Sequence, residues 1–274
     1  MFAFPGIPGS HASRYGIRHL QLRPFGRAPG DIEIDFQQPL RPYLVTQVLQ
    51  CCTIDGTDSG SDFFWDLPLS KRIEALLAIA TSGGVENLTL QFRCSRQTCA
   101  ELIEVELSME EIVQLQPPDE HDTGFRIPVN GTDCFFRKPT GSDQLHWLEA
   151  SFADEDEAAA AMIRTLWVSP PEPELPLDPK NIETIDEGMK EMDPLVHFNI
   201  TVCCPLCSEK SACAVDLEDF LLRRLHKVQQ GLLYDIHCLA SSYHWSEGQI
   251  LALSPRRRAY YLSLIDSRDK KGTG

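Results

Sequence analysis

Two cysteine turns, about 100 residues apart, constrain the fold of this chain more than any other feature. Residues 198–202, Phe-Asn-Ile-Thr-Val, form a short apolar strand pattern that runs into Cys203-Cys204-Pro205-Leu206-Cys207. Residues 213–217 return as a second strand, and a long helical pattern follows. Thiolates spaced like Cys204 and Cys207 can grip one face of a tetrahedral zinc. That is half a site. The other half lies upstream, where residues 88–92 alternate apolar and polar, Cys94-Ser95-Arg96-Gln97-Thr98-Cys99 follows, and residues 103–107 alternate again. Setting Cys94 on Cys204 without gaps places Val105 on Val215, Glu106 on Asp216 and Leu107 on Leu217. This is an internal repeat of strand, cysteine turn, strand and acidic helix start. The expectation is one structural zinc shared by Cys94, Cys99, Cys204 and Cys207, with Cys203 or Cys213 as competing ligands. Four thiolates leave no open coordination position, which argues for a structural and not a catalytic metal.

Composition bounds the class. The chain has 274 residues, 42% of them hydrophobic, enough for one large or two small cores. No apolar run reaches bilayer-spanning length, and residues 1–16 lack a basic-then-apolar leader, so a soluble, cytoplasmic protein is expected. The ten cysteines read as reduced thiols, some of them on metal. A net charge of −15 disfavours nucleic acid and favours a basic protein partner.

The expected architecture is α+β: two zinc-knuckle hairpin halves with a helical C-terminal subdomain. Residues 1–60 read as an irregular, mobile arm, with short strands at 17–22 and 32–36, an extended stretch at 40–45, and Cys51 and Cys52 in a polar turn. Residues 61–150 hold the first knuckle: a helix at 69–80 capped by Ser70 and stopped by Gly83-Gly84, a capping box at Ser108, and a hairpin at 125–138 turning at Asn130-Gly131. A short helix around Leu145 to Leu148 follows, and Pro117-Pro118 end the helix before the hairpin. Residues 151–195 comprise an acidic-capped helix, a Pro-rich linker at 169–176 and a helix at 181–192. Residues 196–274 hold the second knuckle and three helices, the third placing Arg256, Arg257 and Arg258 outward and Tyr261, Leu262 and Ile265 inward.

The long helix carries an apolar stripe from Leu217 to Tyr243 that its two short successors are too short to cover. Either the first half of the chain covers the rest, or a partner does, with Tyr243, Trp245 and Tyr261 as candidate anchors. No catalytic motif is present: His237 and Cys238 are adjacent on a helix and point about 100° apart. The alternative binding class is a zinc-knuckle nucleic-acid-binding or adaptor protein, suggested by the arginines before the last helix and opposed by the net charge.

Residues 232–240, Leu-Leu-Tyr-Asp-Ile-His-Cys-Leu-Ala, and 243–262, Tyr-His-Trp-Ser-Glu-Gly-Gln-Ile-Leu-Ala-Leu-Ser-Pro-Arg-Arg-Arg-Ala-Tyr-Tyr-Leu, resemble the T-even phage baseplate (hub) protein family. Cys204-Pro205-Leu206-Cys207 and Arg137-Lys138-Pro139-Thr140-Gly141-Ser142-Asp143-Gln144 are similar to its larger, zinc-knuckle members. Such members often have Gly after the second knuckle cysteine, where this chain has Ala100 and Ser208. The resemblance implies a non-enzymatic structural or assembly component of a phage tail or contractile injection system, with baseplate or hub proteins as partners.

Overall fold

The computed structural model describes the chain except for residues 8, 18, 55–60, 83–86, 116–123, 170–175 and 273–274. The helix stops expected at Gly83-Gly84 and Pro117-Pro118, and most of the Pro-rich linker, lie outside the described residues. The remainder is a mixed α/β fold with small antiparallel sheets. In chain order the elements are β1 (Phe2–Ala3), α1 (Gly9–Tyr15), β2 (Gln21–Leu22), α2 (Arg41–Cys52), β3 (Thr53–Ile54), α3 (Ser61–Asp66), α4 (Leu69–Thr81), β4 (Asn87–Arg93), β5 (Leu102–Ser108) and α5 (Met109–Gln114). A second run follows: β6 (Phe125–Val129), β7 (Thr132–Phe136), α6 (Gly141–Glu149), α7 (Glu155–Leu166), β8 (Trp167–Ser169), α8 (Pro179–Met192), β9 (Asn199–Cys203), β10 (Lys210–Ala214) and α9 (Leu217–Tyr243). Two helices end the chain, α10 (Glu247–Leu251) and α11 (Pro255–Gly272).

The two runs repeat one arrangement well beyond the cysteine turns. Arg23, after β2, forks onto both carboxylate oxygens of Asp31 at 2.7 Å and also donates to the Cys51 carbonyl, while its own N–H donates to the Cys52 carbonyl. Arg137, after β7, forks onto Asp143, donates to the Thr165 carbonyl, and its N–H donates to Leu166. Every backbone partner is shifted by the same 114 positions as the arginine itself. The pairing Leu22↔Thr53 in β2–β3 matches Phe136↔Trp167 in β7–β8. Downstream the shift becomes 110, so that α4 matches α8 and β4 matches β9. In each copy a helix follows the second strand, capped by Ser108 on the Glu111 N–H and by Asp216 on the Asp219 N–H. Each arginine fork ties the start of a helical layer to the sheet, and a bidentate pair fixes orientation as well as distance.

The described residues up to 54 do not form an irregular, mobile arm. Phe4, Ile17, Leu20, Leu22, Phe25 and Ile34 are buried in the largest core cluster. The stretch read as extended at 40–45 begins α2: a proline in the first helical turn loses no hydrogen bond, and Leu44, Val45, Val48, Leu49 and Cys52 bury one helical face. Cys51 and Cys52 therefore close a helix and do not sit in a polar turn, and burial pushes the Cys52 thiol up to about 12. Residues 32–36 form no strand. Their alternation arises because Ile34 is buried beneath α9, whose Gln229 amide donates to the Asp31 and Ile34 carbonyls, and Phe36 stacks on His226. Among the described residues of the segment read as a strand at 17–22, only Gln21 and Leu22 join a ladder.

Three further expectations need correction. Ser70 is buried inside α4 and does not cap it; the Leu69 N–H donates to the Pro139 carbonyl of the second run, at 2.8 Å. The return strand expected at 213–217 is β10, which starts at Lys210 and ends at Ala214. Arg258 is buried, while Arg256 and Arg257 face out, because residue 258 lies on the face of α11 that carries Tyr261, Leu262 and Ile265 into the packing, and that burial depresses its guanidinium although Asp235 opposes the shift.

The stripe on α9 is covered from within except at Val228, which stays exposed. Leu217, Leu221, Leu222 and Leu225 join the core of the first run, whereas Leu232, Ile236 and Leu239 pack with Ile250, Leu251 and Tyr261. Trp245 stacks on Tyr243 at 4.8 Å and meets Tyr261 edge-on at 5.0 Å. Trp245→Ala is therefore expected to lower the melting point of the isolated chain, by roughly 2–3 kcal/mol of stability for a half-buried ring. An unchanged melting point would remove Trp245 from the internal core.

Candidate metal centre

The two cysteine hairpins meet. β4 and β5 pair from Asn87↔Ser108 to Arg93↔Leu102, and β9 and β10 pair from Asn199↔Ala214 to Cys203↔Lys210. At each tip the first cysteine's N–H closes the loop onto a glutamate carbonyl, Cys94 to Glu101 and Cys204 to Glu209, both at 2.8 Å. The first loop is two residues longer than the second, so the ungapped alignment fails after the turns. Val105 corresponds to Cys213 and Leu107 to Val215, and the pair Leu88↔Leu107 matches the Phe198 and Val215 pair, where the Val215 N–H donates to the Phe198 carbonyl.

The loops bring Cys94, Cys99, Cys204 and Cys207 together with all four sulfurs within 4.8 Å of one another. Cys94 Sγ lies 3.5 Å from Cys207 Sγ, and Cys99 Sγ lies 3.8 Å from Cys204 Sγ. Metal–sulfur bonds of about 2.3 Å in a tetrahedron require sulfur separations of roughly 3.8 Å. The short contacts cross between the hairpins, so a metal here would join the two repeats and not merely close one loop. All ten cysteines are free thiols. Cys203 is exposed and points away, and Cys213 packs beside the cluster with its thiol toward the Ser211 carbonyl, so neither belongs to the four.

Without a metal the surroundings favour the thiolate at Cys204 and oppose it at Cys94 and Cys99. The N–H groups of Cys207 and Leu206 approach the Cys204 sulfur and pull its thiol down to about 7 against the cost of burial. Burial pushes Cys94 up to about 12, although the Arg96 N–H works against the shift. At Cys99 the Glu101 N–H lowers the thiol, but burial and the Cys207 and Cys204 thiols raise it on balance. A bound cation reverses these penalties by making every thiolate favourable. Ile103 and Val202 wall the cluster on the apolar side. On the polar side Arg96 forms an ion pair with Glu209 at 2.8 Å, and Ser95 and Ser211 share a hydrogen bond at 2.6 Å. Both contacts bridge the hairpins, so the interface is built from more than sulfur.

The residue after the second cysteine of each loop is left-handed, Ala100 with φ 48° and Ser208 with φ 57°. A Cβ in that region costs about 1–2 kcal/mol, which is why glycine suits it. Ser208→Gly is expected to stabilise the chain by roughly 0.5–1 kcal/mol, a rise of about 1–2 °C in melting temperature. A fall in melting temperature would mean that the serine side chain is needed there.

Sequence reasoning located the four cysteines but not the two arginine forks. Their signal is an arginine followed within eight positions by Gly-Asp or Gly-Ser-Asp, at Arg23 to Asp31 and Arg137 to Asp143. Two-fold recurrence of that pattern at a shift of 114 for the arginines and 112 for the aspartates, close to the 110 of the cysteine turns, would have extended the repeat. No helix among the described residues is long and apolar enough to cross a membrane. No family model, curated protein or solved structure matches this chain.

Proposed function

We propose that this chain is a non-catalytic structural or assembly component of the baseplate of a phage tail or contractile injection system, stapled by one structural zinc. The observation that carries the structural part is the cross-hairpin arrangement of Cys94, Cys99, Cys204 and Cys207. A metal held by four thiolates has no vacant position for substrate, and its binding energy goes directly into folding. Hairpins of five- and seven-residue strands are too small to persist alone and gain most from such a staple. The sequence resemblance supports the baseplate part, and it falls on α9, α10 and α11 together with the Arg137–Asp143 fork. In this reading the arginine fork and the packed helical end give a rigid block suited to holding neighbours in register.

The test is fractionation of a lysate from cells assembling the tail-like particle, with the chain tagged at its C-terminus. Co-sedimentation with hub or baseplate intermediates, and arrested assembly when the gene is deleted, are expected. Normal particles formed without the chain would contradict the proposal. Binding to nucleic acid that falls steeply with salt, and that weakens on removal of Arg256 and Arg257, would favour the nucleic-acid class instead.

A further inference from the structure

The repeat contains an asymmetry that marks a docking site. In the first run α4 is buried at every position from Leu69 to Leu77, with α2 packed on one side and the N-terminal half of α9 on another. Its counterpart α8 buries only Asn181 and Ile185. Between α7 and α8 lies an open cleft of about 610 Å³. Trp147, Met162, Ile163, Ile182 and Met189 line its apolar floor. In the first run the positions matching Met162, Ile163, Ile182 and Met189 are Val48, Leu49, Arg72 and Ile79, all of them buried. In the second run Ile163 is buried as well, but among the described residues Met162, Ile182 and Met189 remain half-exposed.

The chemistry of the open copy differs at its edge. Where α4 carries Ile73 and Leu76, both buried in the cluster that contains Leu221, Leu222 and Leu225 of α9, α8 carries Glu183 and Asp186. Glu155 and Asp156 on the first turn of α7 complete an acidic rim, of which Asp186 is already engaged by Lys190. An apolar trough between acidic edges fits an apolar stripe flanked by Lys and Arg.

We propose that the α7–α8 cleft docks an amphipathic helix of a partner protein, apolar residues inward and basic residues along its edges. The inference does not rest on the baseplate reading. A helix of about 14 residues would span the trough, the length of α8 itself. Phage-displayed helical peptides of random sequence, selected on the full chain, test it without presupposing a partner. The expected binders carry apolar residues at i, i+3 or i+4 and i+7 with flanking Lys or Arg. They should lose at least about tenfold in affinity against Met162→Glu, which puts a charge in the floor, and against Glu183→Lys, an exposed change that leaves the fold intact. Scrambled peptides of equal charge should bind at least about tenfold more weakly, which separates docking from general attraction to an acidic protein. Recovery of no binders, of binders without apolar periodicity, or of binders indifferent to Glu183→Lys would overturn the proposal.

Discussion

Cys204→Ser is expected to abolish metal retention and to cost the chain well over 4 kcal/mol. The apparent binding energy of a structural zinc in small domains is about 10–16 kcal/mol, and whole domains are stable by only about 5–15 kcal/mol. Losing one of four ligands therefore removes a share comparable with the total. The loss should fall first on β9 and β10, five residues each, and on the hairpin contact made by Arg96 and Glu209. Two neighbours calibrate the effect. Cys203→Ser alters an exposed thiol next to the ligand and should stay within about 0.5 kcal/mol. Cys134→Ser buries a hydroxyl in the second run's core and should cost about 1–3 kcal/mol without touching the metal. Equal losses for Cys204→Ser and Cys134→Ser in denaturant titrations would reduce the cluster to packed thiols.

The second large effect is expected at Asp31. Its side chain is fully buried, accepts both prongs of the Arg23 fork and also takes the N–H groups of Gly26, Arg27 and Ala28. Asp31→Ala leaves a nearly buried guanidinium and three backbone donors without their acceptor, a loss of about 3–5 kcal/mol. Asp143→Ala should cost less, because the Arg137 side chain that it would strand is more exposed. The Asp143 pair also has a pH signature. Burial would raise that carboxyl, but the Arg137 guanidinium and the Thr140 N–H and hydroxyl outweigh it and hold it below the usual carboxylate range. A group lowered on folding stabilises the chain above its unfolded value of about 3.9 and loses that contribution as pH falls through the folded value. Asp143→Asn should therefore flatten the acid limb of stability against pH. An unaltered acid limb would assign that limb to other carboxylates.

Short-range chemistry made much of this fold readable. Asp154, Ser108 and Ser246 cap helices as their spacing implies, because a side-chain oxygen reaches an N–H two or three residues on whatever the distant surroundings. The cysteine turns were readable for the same reason. What was not readable depends on contacts between distant residues. Residues 32–36 alternate like a strand, yet they lie flat under Gln229 of α9, almost 200 positions away. Pro42 suggested an extended chain because the face that makes α2 a helix is defined only by its packing on α4 and α6. The full repeat was hidden because its halves keep the same backbone hydrogen bonds while exchanging side chains: Ile73 and Leu76 where the chain folds over them, Glu183 and Asp186 where it does not.

The metal itself is the most direct point of test. The chain, purified without added metal and without chelator, should contain about one zinc by elemental analysis, and its native mass should exceed the polypeptide mass by one zinc less the displaced thiol protons. Removal of that zinc by a strong chelator should release the β4–β5 hairpin from the β9–β10 hairpin and lower the melting temperature sharply. A metal-free preparation with the same fold and the same melting temperature would contradict a zinc-stapled structure.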